Sequence, residues 1–382
     1  MTTLTDDPTT LGVVGGGQLG RMLAEAAAPL GVEVVVLDPT PDCPAAAVAR
    51  DQVVADFDDP EGVARLAARA DALTVEIELA DPDLLAAVRD DEGVPVHPDP
   101  ETVRTTSDKL REAETLGEAG VPVPAFRRVD GAADLEAALD VLGAPLMLKA
   151  RRGGYDGRGN APVDSVAAAR EAFGDLEGLV AEELVELERE VSVMGVRGDG
   201  ERATYPVAEN VHEAEILRES VVPARADDET RERASEVARD VLDVLDGRGV
   251  FGIELFETTD GEVLANEIAP RPHNSGHYTI EAATTSQFEQ HARAVLGLPL
   301  GSTHLRGAAA MANVLGDGED ARPVRLHGVD DALAAPGVHL HWYGKREARP
   351  LRKLGHLTAT AADGVETPLD AVRAARDGLS FE

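Results

Sequence analysis

The stretch L-G-V-V-G-G-G-Q-L-G at residues 11–20 decides how the chain begins to fold. Its apolar run breaks into a glycine cluster, and an amphipathic segment at residues 21–30 follows. A β-branched run at residues 32–37 then ends at Asp38. A strand, a glycine turn, a helix and a second strand in this order predict a β-α-β unit.

The glycine cluster with Asp38 fits a dinucleotide-binding fingerprint. Glycines let backbone N–H groups approach a phosphate at the start of a helix. The pattern is not specific, because the same glycines hold other phosphates or simply make a tight turn. A nicotinamide-dependent oxidoreductase is therefore one alternative for the whole chain.

Outward from this unit, apolar runs at residues 53–54, 72–75 and 94–97 extend the alternation, and residues 1–105 are predicted to form a parallel α/β domain. Pro122-Val-Pro124 marks a boundary before an α+β lobe at about residues 124–185. That lobe is predicted to contain helices at about 131–142 and 165–173 and strands at 146–149 and 179–182. Further strands are predicted at 190–197, 202–210, 251–257 and 263–267, with a helix at about 227–246. The predicted domains are thus 1–105, 106–315 and 316–382.

The composition limits the partners of the protein. A formal charge of −35 disfavours nucleic acids and anionic membranes by repulsion. Acidic residues and 32 arginines against four lysines resemble a surface adapted to high salt. No apolar run approaches the roughly 20 residues that span a bilayer. With a single cysteine, Cys43, and no signal peptide, we expect a cytoplasmic protein.

Lys149 ends a predicted strand and precedes the loop G-G-Y-D-G-R-G at residues 153–159. Such a loop exposes N–H groups to an anion, and the lysine adds a point charge. A triphosphate cradle is one interpretation and a flexible glycine loop is the other. The following E-E-L-V at residues 182–185, with Glu190, suits an adenine edge and ribose hydroxyls, although acidic residues in this chain are often a solvated surface.

Glu254 and Glu267 lie inside apolar strands, where a lone carboxylate is costly. Facing each other they would suit Mg²⁺; the alternatives are an ion pair with Arg271 or an outward orientation. Residues 270–277, P-R-P-H-N-S-G-H, form the densest polar cluster, in which Arg271 offers a bidentate fork to a small oxyanion.

Positive charge is concentrated at Lys345, Arg346, Arg349, Arg352 and Lys353. In a chain of charge −35 this cluster indicates a phosphate site or, alternatively, a locally basic surface.

These motifs together resemble the ATP-grasp enzymes and, within them, the N5-carboxyaminoimidazole ribonucleotide synthetase family of purine biosynthesis. The resemblance covers about residues 10–360 and is carried by G-G-G-Q-L-G-R-M, L-T-V-E-I-E, G-G-Y-D-G-R-G-N, Y-P-V-A-E-N-V-H, N-E-I-A-P-R-P-H-N-S-G-H-Y-T, S-Q-F-E-Q-H and H-L-H-W-Y-G-K-R-E-A-R-P-L-R-K-L-G-H. It implies an ATP-grasp fold with a Rossmann-like N-terminal domain and a small C-terminal domain. It also implies carboxylation of aminoimidazole ribonucleotide by ATP and bicarbonate through carboxyphosphate, with Mg²⁺ as cofactor and a homodimer as the assembly.

The resemblance also assigns residues. The ATP site would comprise Lys109, Lys149, Gly154, Tyr155, Asp156, Gly157, Arg158, Gly159, Asn160, Glu182, Glu183, Leu184, Val185, Glu190, His212, Asn266 and Glu267. Mg²⁺ would bind Glu254 and Glu267, and bicarbonate or carboxyphosphate would bind the catalytic residues Arg271 and His273. The ribonucleotide pocket would comprise Gln18, Leu19, Glu76, Tyr155, Arg158, Lys345, Arg352 and Lys353.

Three departures from the family pattern bear on ATP affinity rather than on the activity. Lys109 stands where many members have arginine, Ala113 where many have lysine, and the adenine linker L-V-E-L-E lacks the common aromatic residue. Another ATP-grasp ligase, such as a formate-dependent glycinamide ribonucleotide transformylase, is the nearest alternative. A non-catalytic nucleotide-binding regulator is the third.

Overall fold

The computed structural model describes residues 8–153, 159–318 and 320–382. Its first region is a four-stranded parallel sheet of order β3-β2-β1-β4. The elements are β1 Thr10–Val14, α1 Gln18–Ala27, β2 Glu33–Leu37, β3 Asp51–Val53, α2 Pro60–Ala67, β4 Ala72–Val75, α3 Pro82–Ala87, α4 Pro100–Thr106 and α5 Lys109–Glu118. Single 3₁₀ turns lie at Ala28–Leu30 and Pro44–Ala47, and a π turn lies at Val88–Glu92.

Both faces of this sheet are covered, as in other parallel sheets. Val13 packs into one apolar cluster and its neighbour Val14 into another, because successive strand residues point to opposite faces. The predicted β-α-β unit is confirmed. The strand predicted at residues 94–97 is wrong in extent, since only Val96 bridges to Leu73.

The second region is an antiparallel sheet of order β5-β8-β6-β7, backed by two helices. Its elements are β5 Phe126–Val129, α6 Ala132–Leu142, β6 Leu146–Ala150, β7 Asn160–Val163, α7 Val166–Phe173 and β8 Leu179–Glu183. Leu135 and Ala169 from the helices meet Leu148 and Ala181 from the strands in one apolar cluster. The helices and strands predicted here are confirmed to within a few residues.

The third region is the large antiparallel sheet that carries most of the polar motifs. Its elements are β9 Leu187–Arg197, β10 Arg202–Thr204, β11 Ala208–Glu213, β12 Ile216–Val222, α8 Asp228–Val244, β13 Gly249–Thr258, β14 Val263–Ala269, a 3₁₀ turn Asn274–Gly276, α9 Thr279–Ala282 and α10 Gln287–Val295. The single strand predicted at residues 202–210 is wrong, because the chain leaves the ladder between β10 and β11. Pro206 lies in this break and has no N–H to donate to a ladder.

The last elements extend the same sheet. They are β15 Ala308–Leu315, β16 Arg322–Pro323, β17 Leu326–His327, α11 Val329–Ala334, β18 Val338–Trp342, β19 Glu347–Ala348, β20 Lys353–Ala361, α12 Glu366–Asp377 and β21 Ser380–Phe381. The strand order β14-β13-β9-β11-β12-β15-β20-β18 carries hydrogen bonding from one end of the sheet to the other. The sheet thus continues across the domain boundary predicted after residue 315, because β15 pairs with both β12 and β20. Within the described part of the chain, no helix is both long and apolar enough to cross a membrane.

Candidate active site

The glycine turn after β1 is closed by the protein's own carboxylates. Gly16 N donates to Asp38 Oδ2 at 3.0 Å. Gly17 N and Gly20 N donate to the two oxygens of Glu76 at 2.5 and 3.0 Å. The amides that would hold a pyrophosphate are therefore occupied, and the nicotinamide alternative has no support here.

Glu76 follows β4 and is 8% exposed. Burial raises its pKa to about 7, although its two N–H donors oppose the rise. Leu19, also predicted for the ribonucleotide pocket, is 6% exposed in the apolar cluster under α1, and Gln18 is half-buried at the first turn of that helix. Contact of these three residues with a ribonucleotide stays a prediction.

Lys109 and Lys149 meet carboxylates in one cleft. Lys109, the first residue of α5, donates from Nζ to Glu267 Oε2 at 2.6 Å. Lys149 on β6 donates to Asn266 Oδ1 at 3.1 Å, and its Nζ lies 2.6 Å from Glu182 Oε2. The cleft thus joins the second region to β14, and Glu182 is buried beside Lys149 rather than on a solvated face.

Two residues beside these lysines were not found from the sequence. Glu112 lies one helical turn after Lys109 and is 4% exposed, and its Oε2 has no hydrogen-bond partner among the described residues. Burial raises its pKa well above the usual range, against the opposing charge of Lys109. Together with Ala113 it lines a small cavity beside Glu182 and Asn266. Glu112 follows Lys109 by three residues on a helix, and this spacing could have indicated that the two side chains are neighbours.

Asp108 is the second missed residue. It caps α5 by accepting from Leu110 N and Arg111 N, and it is 2% exposed. It also accepts from Arg151 Nε at 2.9 Å and Nη2 at 2.6 Å, and from Arg152 Nε at 3.3 Å. Asp108 therefore ties the beginning of the glycine loop to the helix that carries the first lysine.

Glu254 and Glu267 face each other as register partners on β13 and β14. Burial, followed by the charge of Glu267, raises the pKa of Glu254 to about 7. Burial acts in the same direction on Glu267, but the ammonium of Lys109 brings its pKa below the usual value. Two carboxylates that repel each other in this way suit a divalent cation.

Glu254 and Glu267 alone are a small set of candidate metal ligands. Across the residues that the structure describes, no group of three His, Cys, Asp or Glu side chains converges as metal ligands. Mg²⁺ commonly binds through one or two carboxylates together with substrate phosphates, so Glu254 and Glu267 fit a cation that arrives with a nucleotide. The alternative ion pair of Arg271 with these carboxylates does not form.

Arg271 instead pairs across the domain interface with Glu78, which follows β4. Its Nη1 also donates to Pro272 O at 3.0 Å. Arg271 and Glu78 line a narrow cleft together with Val103 and Pro270. Glu78 was not singled out, although the sequence stretch that contains it was recognised.

His273 and His212 lie near Glu254 from two sides. His273 Nε2 is 3.6 Å from Glu254 Oε1. Burial and then the charge of Arg271 hold the pKa of His273 well below its usual value, so the ring is neutral. His212 Nδ1 lies 2.9 Å from Glu190 Oε2, and this carboxylate raises the pKa of His212 against the effect of burial.

The cationic residues between 345 and 353 make different contacts from one another. Lys353 begins β20, and its charge opposes the rise in pKa of Glu254. Lys345 Nζ donates to Lys353 O at 2.7 Å. Arg352 Nη1 donates to Glu347 O at 3.0 Å, and burial followed by the charge of Arg349 lowers the pKa of Arg352.

The remaining predicted residues lie beside or outside the described cleft. Gly159 O accepts from Ala150 N at 2.7 Å, and Asn160 pairs with Lys149 in the sheet. Leu184 is 44% exposed after β8, next to Val185. The carboxylate of Glu183 accepts from Ala125 N at 2.8 Å. Outside the described residues lie Gly154, Tyr155, Asp156, Gly157 and Arg158.

Three domain families match the chain in succession. The ribonucleotide synthetase pre-ATP-grasp domain matches residues 8–107, the ATP-grasp domain matches residues 114–288, and the phosphoribosylaminoimidazole carboxylase C-terminal domain matches residues 309–367. The fold and the cleft thus define an ATP-grasp ligase with a pre-ATP-grasp domain and a C-terminal domain, as predicted.

Similar proteins narrow this class. N5-carboxyaminoimidazole ribonucleotide synthase of Brucella melitensis is 44% identical over 92% of this chain and 96% of its own length. The Bacillus subtilis synthase is 40% identical over 91% of this chain and 90% of its own. The chain belongs to the N5-carboxyaminoimidazole ribonucleotide synthase family, whose members are ATP-dependent ligases.

Solved structures agree with this assignment. The Thermotoga maritima synthetase superposes with a TM-score of 0.89 at 42% identity, covering 98% of this chain and 99% of that one. The Aspergillus clavatus synthase, solved in complex with ADP and 5-aminoimidazole ribonucleotide, gives a TM-score of 0.89 at 36% identity, covering 97% and 99%.

Proposed function

We propose that the chain carboxylates 5-aminoimidazole ribonucleotide to N5-carboxyaminoimidazole ribonucleotide, using ATP and bicarbonate in purine biosynthesis. The observation that carries the proposal is a cleft in which Lys109 and Lys149 meet Glu267 and Glu182, with Glu254 opposite Glu267. Family membership supports the choice of substrates.

In the proposed reaction bicarbonate attacks the γ-phosphate of ATP, and carboxyphosphate and ADP form. The amine of the ribonucleotide then takes the carboxyl group and phosphate leaves. Lys109 and Lys149 neutralise the ATP phosphates, which releases their present carboxylate partners. Such phosphoryl transfer depends on positioning and charge neutralisation more than on covalent chemistry.

Mg²⁺ would supply charge neutralisation for the phosphate oxygens of ATP. We assign its protein ligands to Glu254 and Glu267, because the two carboxylates face each other across neighbouring strands. Glu182 to Val185 would meet adenine, Glu190 the ribose, and His212 would hold Glu190 in place.

Arg271 and His273 would bind bicarbonate and then carboxyphosphate. Arg271 already holds one carboxylate, that of Glu78, so an anion of similar shape can exchange for it. The resulting site lies between the first region and β14, where closure excludes water from a hydrolysable intermediate. Lys353 would face the ribonucleotide, together with Lys345 and Arg352.

The deciding experiment mixes purified protein with ATP, Mg²⁺ and bicarbonate, with and without aminoimidazole ribonucleotide, and follows ADP and the carboxylated product. We expect ADP release to depend on the ribonucleotide. Equal ADP release without it, or no carboxylated product, would sink the proposal. Formate with glycinamide ribonucleotide serves as the control for the neighbouring ligase activity.

We also propose that the acidic surface is an adaptation to high salt, supported by the net charge of −35 and the four lysines. A homodimer and a cytoplasmic location stay predictions. Light scattering after size exclusion checks the first, in buffers of low and high salt.

A further inference from the structure

The ring of His273 is held by hydrogen bonds on its backbone and on one nitrogen. His273 N donates to Gln287 Oε1 at 2.9 Å, and Gln287 Nε2 donates to His273 O at 2.7 Å. These two bonds fix the peptide of His273 between β14 and α10. The orientation of the ring then depends on what its Nδ1 contacts.

Two atoms of Ser275 contact Nδ1 of His273. Ser275 N donates to it at 3.4 Å, and Ser275 Oγ lies 2.9 Å from it. A backbone N–H can only donate, so Nδ1 must present a lone pair. In a neutral imidazole the proton then resides on Nε2.

The hydroxyl group of Ser192 orients the hydroxyl group of Ser275. Ser192 Oγ lies 2.9 Å from Ser275 Oγ and 3.2 Å from Asn210 Oδ1, so its proton has the nearer acceptor in Ser275. Ser275 then keeps its own proton for Nδ1. Ser275 is fully buried and Ser192 is 1% exposed, so water does not compete with this chain.

The other nitrogen faces the cleft, where Nε2 lies 3.6 Å from Glu254 Oε1. We propose that Ser275 is a positioning residue that holds His273 in the tautomer with the proton on Nε2. His273 is then a hydrogen-bond donor to an anionic oxygen in the cleft, and its Nε2 cannot accept a proton from a reactant.

The consequence for catalysis rests on the proposed function. A neutral donor beside Arg271 stabilises charge on bicarbonate and on carboxyphosphate without protonating either. The proton of bicarbonate or of the ribonucleotide amine must therefore go to another group than His273. Holding a histidine in one tautomer by a partner on its second nitrogen is a general way to set its function.

The first test needs no turnover. The protein is labelled with ¹⁵N-histidine, and the His273 signals are assigned by their loss in His273→Asn. We expect the shift of an unprotonated nitrogen at Nδ1 and of a protonated nitrogen at Nε2. The reverse pattern, or two protonated nitrogens at neutral pH, overturns the proposal whether or not the carboxylation assay succeeds.

The second test compares two buried hydroxyls. Ser275→Ala removes the nearer of the two donors to Nδ1 and leaves the backbone N–H at 3.4 Å, whereas Ser220→Ala removes an equally buried hydroxyl that lies 3.4 Å from Asn210 Oδ1. We expect Ser275→Ala to lower kcat by about tenfold, with little change in KM for ATP, and to mix the two tautomers in the spectrum. Equal kcat in the two variants, or an unchanged tautomer in Ser275→Ala, contradicts the positioning role.

Discussion

At the scale of single residues, the rare lysines define the cleft. Lys109 and Lys149 each hold a carboxylate at 2.6 Å. Lys109 carries a point charge rather than the forked guanidinium group of an arginine. Its ammonium group can therefore move between Glu267 and a phosphate with little geometric constraint. Scarcity of lysine in the chain was therefore a useful signal for these two positions.

Glu267→Gln tests this arrangement. The change removes one of two facing carboxylates and the partner of Lys109, so we expect kcat to fall by about 100-fold or more. The Mg²⁺ concentration for half-maximal rate should rise as well. Steady-state kinetics over a Mg²⁺ series measure both quantities.

The matched control is Glu262→Gln, which changes an exposed carboxylate just before the same strand. It should retain the wild-type rate and Mg²⁺ dependence. A Glu267→Gln enzyme with near wild-type kcat would show that the cation assignment is wrong. The free energy of unfolding of Glu267→Gln should differ from that of the wild type by about 1 kcal/mol or less, because the lost ion pair with Lys109 is partly exposed.

At the scale of elements, the start of α5 connects two regions of the molecule. Asp108 caps the helix and holds Arg151 with two hydrogen bonds, and Lys109 N donates to Arg151 O at 2.9 Å. The cap therefore sets the distance between the two lysines of the cleft. The sequence analysis identified neither the cap nor its arginine partner, because Asp108 and Arg151 are 43 residues apart in the chain.

Asp108→Asn should raise KM for ATP by about tenfold and lower the free energy of unfolding by about 2 kcal/mol. Asparagine still caps the helix, but the charged bonds to Arg151 are weakened. Asp99→Asn is the control, because Asp99 caps α4 and pairs with Arg89 away from the lysines. Kinetics and urea unfolding of both variants check this, and an equal KM in the two would contradict the connection.

The helix α10 gives a second prediction at this scale. Its His291 is fully buried, with Nε2 2.8 Å from Thr74 Oγ1 and Nδ1 accepting from Val250 N at 3.0 Å. Burial, with a smaller effect of His97, lowers the pKa of His291 from 6.5 to about 3. Because the unfolded chain binds the proton first, this contribution to stability is present above pH 6.5 and is lost as the pH falls toward 3.

Between pH 7 and pH 5, His291 should lower the free energy of unfolding by about 2 kcal/mol. His291→Gln should remove that part of the pH dependence, although it also costs stability at pH 7. His304→Gln, at an exposed position, should keep the wild-type difference. Denaturant unfolding at the two pH values measures it, and a pH dependence unchanged in His291→Gln would refute the assignment.

At the scale of the whole molecule, the net charge of −35 is large and is not confined to one tail. Like charges repel in the compact state, and salt screens them: the Debye length falls from about 10 Å at 0.1 M to about 3 Å at 1 M. Many arginines are already paired with carboxylates on the surface, which limits this repulsion locally. The remaining excess of acid should make stability depend on salt.

We expect the Tm to rise by several degrees between 0.1 and 1 M KCl. In a chain of this size, each kcal/mol gained in the free energy of unfolding raises the Tm by roughly 4 °C or less. Thermal unfolding followed by circular dichroism measures it. Sucrose at equal osmolality is the control, since it does not screen charge. A Tm that is flat or falls with KCl would argue against adaptation to high salt.

The kinds of element and several residues of the cleft could be predicted from the chain alone. Periodicity and glycines located β1, α1 and β2, and motif order located Lys149, Glu254, Glu267 and His273, because local patterns and linear spacing are properties of the chain. Which of these groups contact one another became clear from the packing of the folded chain. Glu76 closes the glycine turn, Glu78 pairs with Arg271, and Ser275 with Ser192 orients His273. These partners come from distant strands, and their energies arise from burial and mutual charge, which depend on packing that linear spacing does not contain.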